Sequence, residues 1–303
     1  MIIKRRRSKK IQITPAVAIG GGDPIIVQSM ANIKTSYVGR VVKQINCLAA
    51  AGCGLVRVSI LDKKDSQALS QIIKGSPIPI CADIHFNYQF ALQALESGVH
   101  KIRLNPGNVQ KEQELKDVIA SARERGVPIR IGANSGSIDA RVKSGTLGSR
   151  LASSILNYVS FFEKNKFSKL VLSAKAHTAC DTIEAYRILA EKTNYPLHIG
   201  LTSSGTGRYA VIKSATTLGG LLLDGIGDTM RVSLADDPLD EVQVGVDILT
   251  SLGLRKRPWE VIACPTCGRT KIDVIGLAKS VEAVLNKSKI RVPRAPYLSL
   301  IHI

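Results

Sequence analysis

Short runs in which apolar and polar residues alternate recur along this chain, each followed by a stretch with apolar residues three and four apart. Alternation is the mark of a strand with two differently solvated faces, and the longer spacing is the mark of an amphipathic helix. The strand pattern falls at residues 25–30, 55–60, 78–85, 101–105, 128–134, 169–175, 196–202 and 228–234. Helical patterns follow at 37–51, 65–74, 88–96, 109–125, 150–164, 182–192, 211–224 and 239–252, with Gly52 and Gly98 placed to stop two of them. Strand–helix units of this number, in roughly 250 residues, match an α/β fold of the (β/α)8 TIM-barrel type.

The stretch KIRLNPGN at 101–108 shows the logic of one unit. On a strand, Lys101, Arg103 and Asn105 point one way and Ile102 and Leu104 the other. Pro106 removes a ladder donor and Gly107 accepts a positive φ, so the chain is expected to turn there. The same parity recurs: Arg57 with Ser59, Asp83 with His85, Arg130 with Asn134, Ser173 with Lys175, and Arg231 with Ser233 each share a face. Polar residues inside a barrel gather at the C-terminal mouth of the strands, where active sites form. Cations converging there are costly to desolvate without a compensating anion. Internal ion pairing with Asp83 is one answer, but a single acid cannot neutralise so many cations. A bound anion with several charges, such as a diphosphate, is the favoured one.

Composition narrows the partners. A net charge of +18 over 303 residues calls for something anionic, and a basic arm at residues 4–10 raises nucleic acid as an alternative to a solvated tail. An aromatic content of 4% offers few platforms for stacking bases, which counts against nucleic acid. No apolar run is long enough to span a bilayer and no secretory segment follows the arm, so a soluble, cytoplasmic protein is expected. Residues 1–253 read as the barrel, 254–258 as a linker, and 259–303 as the start of a second, small domain. That segment carries Cys264-Pro-Thr-Cys267-Gly, a knuckle suited to a zinc ribbon, a redox dithiol or an iron–sulfur cluster. Cys47, Cys53, Cys81 and Cys180 lie in apolar surroundings and read as core residues.

The succession VQSM, VRVS, ADIHF, KIRLNPGN, PIRIGANSGS, GIGDTMRVSL and ACPTCGRT resembles the bacterial 4-hydroxy-3-methylbut-2-enyl diphosphate synthases of the non-mevalonate isoprenoid pathway, in register from about Lys9 to Val292. The resemblance implies an oxidoreductase with a barrel followed by a small α/β domain, similar to a sulfite-reductase module, that holds a [4Fe-4S] cluster. It implies reductive ring opening and dehydroxylation of 2-C-methyl-D-erythritol 2,4-cyclodiphosphate. Two electrons would come from flavodoxin or ferredoxin, and the enzyme would be a homodimer. Carried onto this chain, Arg57, His85, Arg103, Arg130, Asn134, Lys175, Arg231 and Ser233 would hold the diphosphate, and parity adds Asn105. Cys264 and Cys267 would be two cluster ligands.

Two departures stand out. Where the family has an acid in a Thr-Glu-Ala-Gly motif, this chain has Thr202-Ser203-Ser204-Gly205, leaving His85 or an ordered water as candidate proton donors. The third cysteine and the glutamate ligand expected after residues 289–292 are absent. Residues 293–303 match no part of the family and read as a non-native tail on an incomplete cluster domain, so activity of this chain is left open. The alternative functions are a nucleic-acid-binding or RNA-modifying barrel with a zinc-binding CxxC, and a barrel lyase or transferase acting on another phosphorylated metabolite.

Overall fold

The structure, a computed structural model, describes residues 3–85, 87–105, 111–139, 141–256, 259–287 and the strand at Tyr297–Leu300. The turn expected at residues 106–108, part of the 254–258 linker, the stretch 289–292 and most of the tail lie outside the described residues.

The elements run β1 (Ile11–Thr14), β2 (Val17–Ile19), β3 (Ile26–Met30), α1 (Val38–Ala50), β4 (Leu55–Ile60), α2 (Lys63–Gly75), β5 (Ile80–Ile84) and α3 (Tyr88–Glu96). They continue with β6 (Lys101–Leu104), α4 (Glu112–Glu124), β7 (Ile129–Asn134), α5 (Leu147–Lys164), β8 (Leu170–Lys175), α6 (Ala179–Lys192), β9 (His198–Gly200) and α7 (Gly207–Leu223). The last are β10 (Thr229–Arg231), α8 (Pro238–Ser251), β11 (Glu260–Ala263), α9 (Val274–Lys287) and β12 (Tyr297–Leu300). The chain divides into two compact units, Met1–Ile248 and Leu249–Ile303.

In the first unit eight parallel strands lie in the order β8-β7-β6-β5-β4-β3-β10-β9. A parallel bridge between Leu172 and Leu197 joins the two ends, closing the ring as a TIM-type barrel. Helices form where apolar spacing and a capping side chain coincide. In α1, Val41, Ile45 and Leu48 make one buried stripe, and truncating a fully buried leucine such as Leu48 to alanine costs about 2–5 kcal/mol. Asp62, Asn87, Thr146 and Thr178 each accept a backbone N–H in the first turn of α2, α3, α5 and α6. These caps start α2, α5 and α6 a few residues before the apolar periodicity does.

The second unit holds β11 and β12, paired in parallel from Glu260↔Tyr297 to Ala263↔Leu300, together with α9.

Two expectations are corrected. The basic arm is not a solvated tail. Arg5 pairs with Asp228 at 3.2 Å, Ser8 donates to the same carboxylate at 2.7 Å, and the backbone N–H groups of Arg6 and Lys9 donate to Gly225 and Asn194. Gly225 is bare for this reason: its φ is +75°, and a Cβ there would lie 2.3 Å from the Lys4 carbonyl. Behind the arm, the β1–β2 hairpin packs Ile11, Ile13 and Ile19 on Val171, across the N-terminal ends of the strands. Cys53 and Cys81 are buried as expected, but Cys47 and Cys180 are exposed. Cys47 lies off the buried stripe of α1, and Cys180 sits in the open first turn of α6.

Candidate active site

Strand register sets the interior of the barrel. Arg57 pairs with Cys81, Asp83 with Arg103, Arg103 with Arg130, Asn134 with Lys175, and Arg231 with Gly200. The outward residues between them, among them Val56, Val58, Ile102, Leu104, Ile129 and Ile131, are buried apolar positions. Alternation therefore turns one polar side chain per step toward the axis while the apolar partner packs outward under the helices.

A cavity of about 580 Å3 opens at the C-terminal ends of the strands. Of the residues expected there, Arg57, His85, Arg103, Arg130, Asn134, Lys175, Arg231 and Ser233 all line it. Asn105 does not: it is buried just beyond the end of β6, outside the lining. Ser203 is on the wall, with φ at +53°. Its loop is anchored on both sides, Thr202 N–H to the Ala176 carbonyl at 3.0 Å and Ser204 N–H to the Ser233 carbonyl at 3.3 Å.

Two carboxylates organise the cations. Asp83 is buried between Arg57 at 3.4 Å, Arg103 at 3.2 Å and the His85 Nε2 at 3.2 Å. Burial works against its charged form, but Arg57, His85 and Arg103 outweigh that and hold the carboxyl well below the usual carboxylate range. Glu241, from the first turn of α8, takes the Arg231 guanidinium at 3.1 Å and also accepts Ser29 Oγ and the Leu234 N–H. Between the two networks the Met30 sulfur faces Arg57 Nη2 at 2.7 Å and Arg231 Nη1 at 3.7 Å. Arg130 has no carboxylate within pairing distance among the described residues, and its Nε and Nη1 are buried without a hydrogen-bond partner. Burial, with Arg57 and Arg103 adding to it, pushes this guanidinium down to about 9, still charged at neutral pH. Such a surface favours a compact, multiply charged anion: its donors are planar and forked, and its cations outnumber its acids.

Strand parity pointed to ten of the lining positions, Asp83 and Ser173 among them, and passed over Glu241, which comes from a helix and has no signature in an alternating pattern. Below the cavity lies a second polar layer, with Lys101 on the inward face that parity gave it. Lys101 is fully buried and donates to Gln28 Oε1 at 3.2 Å, and His198 is buried against Thr229 Oγ1 at 2.8 Å.

Residues 8–246 match the GcpE TIM-barrel domain. The chain belongs to the GcpE family. It is 45% identical over 292 residues, covering 95% of this chain and 83% of the relative, to the 4-hydroxy-3-methylbut-2-en-1-yl diphosphate synthase (flavodoxin) of Persephonella marina. It is 48% identical over 269 residues, 88% of this chain and 76% of the relative, to the enzyme of the same name from Geobacter sulfurreducens. This GcpE-family chain is therefore a member of a family of isoprenoid-pathway oxidoreductases. Among solved structures, dihydropteroate synthases from Stenotrophomonas maltophilia (16% identity, TM-score 0.57, 76% of this chain and 92% of that one) and Xanthomonas albilineans (13%, 0.59, 81% and 97%) share the barrel fold. No described helix is long and apolar enough to cross a membrane.

The iron–sulfur cluster implied for a GcpE-family enzyme meets half of a site. In the second unit Thr266 has φ at +67° and turns the chain between Cys264 and Cys267. The Cys267 N–H donates to Thr270 Oγ1 at 3.0 Å, and hydrogen bonds from Arg269 and Thr270 lower the Cys267 thiol from its ordinary value. This is a knuckle prepared for thiolate ligands. Among the described residues no three His, Cys, Asp or Glu side chains form a metal-binding group, so the described donor set supplies half of the anchors a four-iron cluster commonly takes.

Proposed function

We propose that the barrel binds 2-C-methyl-D-erythritol 2,4-cyclodiphosphate in this cavity. The reaction is its reductive ring opening and dehydroxylation to the linear allylic diphosphate, with electrons from a flavodoxin-class donor. The observation that carries this reading is the convergence of Arg57, Arg103, Arg130 and Arg231 on one cavity that contains only two carboxylates among its described lining. The guanidiniums and Lys175 hold the diphosphate, and Asn134 and Ser233 supply neutral polar contacts. Asp83 keeps Arg57, Arg103 and His85 oriented toward the ligand rather than binding it. With serine at position 203, the imidazole of His85, tethered to Asp83, is the group placed to hand on a proton.

Of the two features that raise the nucleic-acid alternative, the net charge of +18 stands, while Arg5 of the basic arm is engaged by Asp228. Calorimetry of the cyclodiphosphate binding to the parent and to Arg103→Ala tests the proposal. Loss of one guanidinium from a desolvated anion site is expected to cost on the order of 2–5 kcal/mol of binding. Equal affinity of the two proteins would reject the assignment.

A further inference from the structure

Arg130 and Lys175 are the cavity cations that pair with neither carboxylate of the described lining, and of the two the lysine amine is the one that gives up a proton readily. Lys175 ends β8, half-buried on the cavity wall that it shares with Arg57, Arg103, Arg130 and Arg231, all four of which repel a charge on it. Its amine makes no hydrogen bond or ion pair with any described residue. Both acids of the described lining are committed elsewhere, Asp83 to Arg57, His85 and Arg103, and Glu241 to Arg231. The side chain lies across bare backbone on β9: a Cβ on Gly200 would sit 2.5 Å from Lys175 Nζ, 3.0 Å from its Cε and 2.8 Å from the Arg231 carbonyl. Asn134 on β7 and Ser173 on β8, polar residues on the same wall, are neutral, and His198 lies below.

Charge counting gives this placement a consequence. The guanidiniums exceed the carboxylates of the described lining by two positive charges, leaving aside Lys175 and the imidazole of His85. A ring-closed diphosphate, in which each phosphorus carries one ionised oxygen, brings two negative charges. Ring opening breaks the C–O bond to one phosphate and leaves the bonding pair on oxygen. With two electrons from the flavodoxin-class donor and one proton consumed as the hydroxyl departs as water, the diphosphate gains a third negative charge.

We infer that Lys175 is the adjustable charge of the cavity, an uncharged amine opposite the ring-closed diphosphate and an ammonium opposite the ring-opened one. The proton it gains comes from solvent. In the ligand-free cavity, burial first and then the four arginines hold its ammonium well below the ordinary lysine value. The third ligand charge offsets that repulsion. This inference rests on the diphosphate reading of the cavity and adds to it a group whose protonation follows the reaction.

The test is calorimetry of the full chain at about pH 8, where a terminal phosphate (second pKa about 6) is already ionised in solution. Titrations in buffers of different ionisation heat count protons taken up with the cyclic and with the linear diphosphate. The linear ligand is expected to bring about one proton more than the cyclic one. Lys175→Arg, permanently charged, and Lys175→Met, never charged, are both expected to abolish that difference, while His85→Gln keeps it. Equal proton uptake by the two ligands in the parent, or a difference that survives in Lys175→Arg, would overturn the inference. Failure of the cyclic diphosphate to bind the parent at all would reject the substrate reading, whereas binding of both ligands with equal proton uptake rejects only the role of Lys175.

Discussion

The hydroxyl of Tyr186, reaching in from α6, donates to the backbone carbonyl of His198 at 2.5 Å. It also accepts the Ala174 N–H at 3.2 Å, so a side chain stands in the ladder where β8 and β9 would otherwise bond directly. This is the seam of the barrel, where Leu172↔Leu197 makes the parallel bridge and Lys175 follows Ala174 into the cavity. A Tyr186→Phe protein is expected to lose about 1–3 kcal/mol of stability, because a buried carbonyl and a buried N–H are left without this partner. Urea denaturation measures the loss. A midpoint equal to that of the parent would mean that the seam closes on itself and the hydroxyl is dispensable.

Lys101 gives the barrel a dependence on pH. It is fully buried with Gln28 as its acceptor, and burial, with Arg130 and Arg57 adding to it, pushes the amine down to about 7 from 10.5. Between those two values the unfolded chain binds a proton that the folded one does not, so stability rises with pH across that window. One group contributes a slope of up to about 1.4 kcal/mol per pH unit. Below the window the folded protein carries an unpaired buried charge. Lys101→Met is expected to be more stable than the parent at neutral pH and to show a shallower rise toward alkaline pH. Denaturation at a series of pH values compares the slopes, and an unchanged slope would assign the titration to another group.

Alternation in the sequence located the barrel strands and placed most of the cavity wall, because a half-polar strand has only two faces and the apolar one must turn toward the helices. What it missed came from outside that rule. Asn105 obeys the parity of β6, but the strand ends at Leu104 and the following residue is buried elsewhere. Glu241 and Tyr186 reach the barrel from helices, where a residue every turn faces the strands and nothing marks the polar one as functional. The hairpin of β1 and β2 is short and interrupted by Pro15, so its alternation is too brief to separate from a loop. Strands β9 and β10 are shorter than the pattern suggests. Leu197 and Leu234 give their N–H groups to the side chains of Asp228 and Glu241 instead of a neighbouring strand. The docking of the basic arm was illegible for a different reason: its acceptor Asp228 lies more than two hundred residues away along the chain.

The knuckle of Cys264 and Cys267 gives iron a partial site. Four irons need anchoring, commonly by four thiolates, and the second unit offers two. The other cysteines, Cys47, Cys53, Cys81 and Cys180, all belong to the barrel unit, and two of them are buried there. Hydrogen bonds that favour the Cys267 thiolate make the knuckle a competent partial site, so iron is expected to bind but not to stay. Anaerobic reconstitution followed by iron and sulfide analysis should give substoichiometric iron that a chelator removes within the experiment. Cys264→Ser and Cys267→Ser should each abolish even that. A chelator-resistant cluster with four irons per chain would contradict the donor count and require ligands other than these two thiols. If iron binding survives both substitutions, it resides elsewhere in the chain and the knuckle is not a ligand site.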